Sequence, residues 1–135
     1  MPRLIPAHEW RSLKRGLVQR ARVLEMFLRD VDSDGEVVHD GVLPAATVYD
    51  SPGWRDEARQ LPRGAVRAPV IGFDLVRDEL AGWRVLEDNA RVPSGAGYAI
   101  AARQLVDAVM PDLTRPPGLL PRTPRRGCSA RPWPP

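Results

Sequence analysis

Residues 70–78 (VIGFDLVRD) and 83–88 (WRVLED) are rich in β-branched and aromatic side chains, and Glu79 to Gly82 between them reads as a turn. A chain committed to this hairpin has little freedom in which side chain reaches which face, because strand residues alternate sides. With the turn centred on Leu80 and Ala81, Asp74 faces Glu87, Val76 faces Val85 and Asp78 faces Trp83. Glu87 and Asn89 then point the same way, so Asp74, Glu87 and Asn89 converge on one face. Opposed carboxylates repel unless a cation joins them, and carboxylate and amide oxygens are the ligands hard divalent cations prefer. The spacing leaves two readings open. One is a magnesium seat under a nucleotide phosphate; the other is a solvated hairpin whose acids meet no ion.

The rest of the body is helical. Residues 7–31 are amphipathic at helical spacing, with Trp10, Leu13, Leu17, Ala21, Leu24, Leu28 and Val31 on one stripe. Arg11, Arg15, Arg22 and Arg29 lie largely off it, so the stripe is expected to face the domain core. Residues 36–41 read as a short strand leading into an Asp40-Gly41 turn. Residues 44–60 read as short helical turns broken by Ser51-Pro52-Gly53, and 60–69 as a loop into the hairpin. After Pro93-Ser94-Gly95 a helix is predicted from about Tyr98 to Met110, with Pro111 following its end. The expected fold class is α/β in the broad α+β sense.

The string DLVRD…GWRVLEDNARVPSGAGYA closely resembles the core motif of the circularly permuted ATP-grasp type 2 family, related to glutathionylspermidine synthetase-like ligases. Upstream, WRSLKRGLVQRARVLEMFLRDV and HDGVLPAATVYDSPGW are similar to that family's helix and to the connection into its magnesium hairpin. The resemblance implies a partial ATP-grasp lobe over residues 5–113, followed by a tail over 114–135. It implies Mg2+ and ATP as cofactors, with Asp74, Glu87 and Asn89 holding the metal against the nucleotide. Arg77 and Arg91 become candidates for contact with a phosphate or a substrate carboxylate. Ser94 and Gly95, opening the SGAG run before a helix, become candidates for cradling phosphate through backbone N–H groups. Ligases of this kind activate a carboxylate as an acyl phosphate, which an amine or thiol then attacks. Such phosphoryl transfer needs positioning and charge neutralisation more than covalent help from protein groups.

The chain also departs from that family. Members are several times longer and contact the nucleotide with lysines from a second lobe, whereas this chain has one lysine, Lys14, in its first helix. The expectation is therefore an internal piece of a carboxylate–amine or –thiol ligase, catalytically incomplete alone. The alternative is a non-catalytic remnant or interaction module that associates with another polypeptide carrying the missing lobe. A piece of that kind would expose apolar faces and sheet edges and tend to associate.

Residues 115–135 hold seven of the fifteen prolines, five arginines and no acid. That density of proline excludes helix and interior strand and reads as disordered or polyproline-like. Nineteen arginines against one lysine fit GC-rich coding, so a shifted reading frame is one origin for such a tail and a genuine basic tail is the other. Net charge follows the same division. The body carries fifteen basic residues against seventeen acidic ones, a net of −2, and the tail carries +5. The pI of about 9.7 therefore says little about nucleic-acid binding by the fold. The single cysteine, Cys128, permits no intramolecular disulfide, and no apolar run approaches a membrane span, so a cytoplasmic setting is expected. Asp30, Asp32, Asp34 and Gly35 imitate the start of a calcium loop, but Gly41 stands where its closing bidentate Glu belongs. His8 and His39 have no ligand or triad spacing and read as surface residues.

Overall fold

The computed structural model describes residues 4–79, 82–112 and 118. Among these residues the arrangement is α+β, with four helices, one 3-10 turn and one two-stranded antiparallel sheet. Helix α1 (Ala7–Val31) is followed by the short helices α2 (Glu36–His39) and α3 (Ala45–Tyr49) and a 3-10 turn at Asp56–Gln60. Strands β1 (Gly72–Asp78) and β2 (Gly82–Asn89) form the hairpin, and α4 (Gly95–Val109) comes last. Residues 5–93 form one compact unit, while α4 belongs to a second unit beginning at Ser94.

The amphipathic reading of α1 holds. Leu13, Leu17, Ala21, Leu24 and Leu28 are half-buried, Val31 is buried, and Arg11, Arg15 and Arg22 are exposed; the exceptions are Trp10, expected on the stripe but exposed, and Arg29, expected off it but half-buried. Pro6 precedes the first turn, and its carbonyl accepts the N–H of Trp10 at 2.9 Å. The strand expected over 36–41 is instead α2 and its exit. Two devices favour the helix. Gly35 takes the left-handed φ of 67°, which reverses the chain, and the Asp30 carboxylate accepts the N–H groups of Glu36 (2.9 Å) and Val37 (3.0 Å). A side chain six residues upstream thus satisfies two orphan donors at the start of α2, a contact that hydropathy patterning does not encode. It also answers the calcium-loop imitation, since the Asp30 carboxylate is committed to the turn.

Apolar burial is sparse. Val31, Val48 and Ala68, from the end of α1, from α3 and from the loop before β1, are the buried apolar residues among those described. Polar staples hold the same region. Glu25 of α1 accepts the backbone N–H groups of Arg67 (3.0 and 3.1 Å) and Ala68 (3.0 Å) and pairs with Arg29 at 2.9 Å. Burial pushes the Glu25 carboxyl up, but those two N–H groups and the Arg29 guanidinium outweigh it and hold the group below its ordinary 4.5. The Arg67 side chain is only 6% exposed, and its Nη1 donates to the carbonyls of Pro62 (3.0 Å) and Ala65 (2.6 Å). Its Nε lies 3.5 Å from the buried Asp32 carboxylate, close enough for charge pairing but without hydrogen-bond geometry, so that N–H is left unsatisfied.

Glu25→Ala is expected to cost about 1–3 kcal/mol, the usual cost of stranding part-buried donors, read by denaturant unfolding at pH 7. The pH dependence has a definite sign. A carboxyl whose folded-state pKa is depressed contributes its stability above the unfolded value of 4.5 and loses it as pH falls through the folded-state value. Unfolding free energies measured between pH 7 and pH 3 should therefore fall less steeply in Glu25→Gln than in the wild type.

Candidate functional site

The hairpin follows the expected register at its open end and departs from it towards the turn. Gly72 pairs with Asn89, Phe73 with Asp88 and Asp74 with Glu87. Beyond an irregularity at Asp74/Leu75 the partners are Leu75 with Val85, Val76 with Arg84, Arg77 with Trp83 and Asp78 with Gly82. Leu86 is the extra residue, a β-bulge that leaves it 72% exposed. The expected pairs Val76–Val85 and Asp78–Trp83 are thereby each displaced by one residue. Gly82 opens β2 at a φ of 74°, the left-handed geometry a tight turn exit demands.

The bulge decides which face carries what. On one face lie Phe73, Leu75 and Arg77 of β1 with Trp83, Val85 and Asp88 of β2. This face meets α1. Glu9 accepts Arg77 Nη2 and Trp83 Nε1, both at 2.9 Å, one on each carboxylate oxygen. Arg20 grips Asp88 with two parallel bonds, Nε to Oδ1 at 2.7 Å and Nη2 to Oδ2 at 2.6 Å. That hydrogen bond holds the Asp88 carboxyl below its ordinary value, against the opposing pull of partial burial, and raises the Arg20 guanidinium in turn. Without the bulge, Trp83 and Val85 would share a face with Glu87 rather than with Asp88.

The opposite face carries Asp74 and Glu87 directly across from each other, with Asn89 beside them. Asn89 Nδ2 lies 3.4 Å from Asp74 Oδ2, and both acids are exposed. Among the described residues no three His, Cys, Asp or Glu side chains gather as a metal-ligating group. The set available is two carboxylates and one amide oxygen. By donor chemistry it suits a hard cation such as Mg2+ and would be a poor seat for a softer metal.

The other site candidates fall elsewhere. Arg77 projects to the α1 side and is engaged by Glu9, so it is not brought to the Asp74 face. Arg91 sits on an exposed bend two residues past Asn89. Ser94 is the N-cap of α4 and Gly95 its first residue; no side-chain cap bond is made there. The helix begins three residues earlier than the predicted Tyr98, so the SGAG run forms its first turn rather than a free loop. Glu9, Arg20 and Asp88 went unnoticed in the sequence. Their contacts span 68 to 74 residues, and nothing local to any of them signals a partner. Gly72 also shapes this end of the hairpin, because a Cβ there would come within 3.1 Å of Pro93 Cβ and 3.5 Å of Asn89 Cβ.

Comparison with known proteins agrees with this architecture. The profile of the circularly permuted ATP-grasp type 2 family matches residues 2–124. The chain belongs to that family, and the match runs past Leu113, where the resemblance was expected to stop. "Putative glutamate--cysteine ligase 2-3" of Frankia alni is 48% identical over 120 residues, covering 89% of this chain and 14% of that protein. An uncharacterized protein of Mycobacterium leprae is 41% identical over 114 residues, covering 84% of this chain and 20% of its own length. Another from Synechocystis is 40% identical over 114 residues, covering 84% of this chain and 24% of its own length. The chain thus spans between about a seventh and a quarter of these relatives. Apart from Gly118, the expected tail, with Cys128, lies outside the described residues. No described helix is long and apolar enough to cross a membrane.

Gly72→Ala should displace Pro93 by a few tenths of an ångström, while Asn89 stays at ordinary contact distance. Backbone amide shifts in an NMR spectrum should move at residues 90–92, beside Pro93, while those of α2 and α3 stay in place.

Proposed function

We propose that this chain supplies the magnesium- and nucleotide-binding hairpin of an ATP-dependent carboxylate–amine or carboxylate–thiol ligase. The observation that carries this reading is the cross-strand pairing of Asp74 with Glu87, with Asn89 on the same exposed face. Asp74, Glu87 and the Asn89 amide oxygen would hold the cation, which when bound neutralises charge on the nucleotide's phosphate oxygens. Arg91, two residues beyond Asn89 and exposed, is free to approach a phosphate or a substrate carboxylate. Arg77 supports the site from behind, by fixing β1 to α1 through Glu9. The backbone N–H groups at the start of α4, from Ser94 and Gly95 onward, are a further candidate phosphate contact. The names of the Frankia relatives make glutamate and cysteine the first substrates to try. Turnover would require the remaining segments that such ligases contain.

A second reading has its own support. Val23 (59%), Met26 (69%) and, on α4, Leu105 (64%) and Val109 (67%) are large apolar side chains left exposed. Apolar surface of that kind suits a module whose function is association with a further polypeptide lobe.

Calorimetric titration of the full chain with a non-hydrolysable ATP analogue separates the two. Binding that needs Mg2+ and is lost in Asp74→Asn and Glu87→Gln supports the ligase hairpin. Binding absent with or without Mg2+ rejects nucleotide binding by this chain alone and leaves the association module as the better account.

A further inference from the structure

We propose that Arg20, on α1, is a positioning residue for the cation-binding face on the far side of the hairpin, acting through its two-bond grip on Asp88. The proposal rests on reading Asp74, Glu87 and Asn89 as that face.

Asp88 stands between Glu87 and Asn89 on β2, and its side chain points to the opposite side. Whatever holds Asp88 against α1 therefore also turns its two neighbours outward. Such a hold is needed because the hairpin has a competing register. Carrying the pairing of the turn end straight on, with no bulge, would set Leu86 opposite Asp74 and turn Glu87 towards α1. In that register Asp74 faces a leucine and the paired carboxylates are gone. The Arg20–Asp88 pair opposes this slip because the slipped register turns Asp88 away from α1.

Its chemistry suits orientation better than stabilisation. The Arg20 side chain is 48% exposed, and ion pairs so wet contribute little to folding. Two parallel N–H···O bonds at 2.7 and 2.6 Å instead fix the plane and direction of the carboxylate. The second anchor lies at the right distance. Glu9 and Arg20 are roughly 16 Å apart along α1 at 1.5 Å per residue. Trp83 and Asp88 are about as far apart along β2 at about 3.3 Å per residue. Glu9 fixes the turn end of the hairpin and Arg20 fixes the end that carries Glu87 and Asn89.

The test uses the full chain, with Mn2+ as the probe and two readouts. Cross-strand NOEs between residues 74 and 87 report the register, and electron paramagnetic resonance reports Mn2+ affinity. Arg20→Gln and Asp88→Asn should shift the NOEs towards residue 86 and weaken Mn2+ about ten- to a hundredfold, the usual effect of losing an outer-shell partner. Arg20→Lys, which keeps the charge but not the fork, should fall between these and the wild type. The exchanged pair Arg20→Asp with Asp88→Arg should recover register and affinity together, which a purely general loss of folding would not do. A normal register and normal Mn2+ affinity in folded Arg20→Gln would overturn the proposal. Register loss in that variant, with no Mn2+ bound by the wild type, would uphold the positioning role and reject only the cation reading.

Discussion

One extra residue in β2 governs the arrangement of this chain. Leu86 shifts the phase of alternation between the two ends of the hairpin, so that Trp83, Val85 and Asp88 can all address α1. Glu87 and Asn89 are left facing away with Asp74. A regular ladder could not do both. The apolar residues near the turn and the polar pair near the open end would then have to share one side, either putting acids against the helix or putting Trp83 in water. The bulge thus separates a face that meets α1 from a face that carries the paired carboxylates, and it does so within seven pairings.

The remainder of the body is organised around charged side chains that bond to backbone. Val31, Val48 and Ala68 are too few and too small to fix the long loop before β1 by apolar burial alone. Glu25 fixes it instead by accepting the N–H groups of Arg67 and Ala68, and Arg67 folds back on the carbonyls of its own loop. Asp30 plays the same part at the start of α2. Directional bonds of this kind define a unique path for irregular chain where packing cannot, at the cost of one strained account: the Arg67 Nε–H, buried beside Asp32 and not bonded to it.

What the sequence disclosed follows the range of the interaction concerned. Helix α1 was legible because its stripe repeats every three to four residues, and the hairpin because its two runs flank a short turn. The pairing of Asp74 with Glu87 was legible for the same reason. Two errors arose where a single residue outweighs a pattern. The bulge at Leu86 has no local signature among β-formers, and it displaced every pair on the turn side. At residues 36–39, β-branched Val37 and Val38 suggested a strand, but two bonds from Asp30 made a helix turn of them. The supports of the candidate site, Glu9 and Arg20, were invisible because their partners are more than sixty residues away. Both lie on a helix whose amphipathic pattern accounts for its fold without them. Family resemblance suggested a chemistry for the outward face; the contacts on its other side appear only in the folded chain.

The pairing of α1 with the hairpin also limits how this region can vary in length. Glu9 and Arg20 act on partners set by the hairpin's own pitch. Inserting or deleting one residue between them would rotate one anchor about 100° away from the other around the helix axis. Substitutions on the outer surface of α1, such as at Arg11, Arg15 or Val23, meet no such restriction. The outer surface of segment 9–20 should therefore accept changes of side chain readily, and the segment changes of length hardly at all, whereas the exposed bend at Arg91 is under neither constraint from α1.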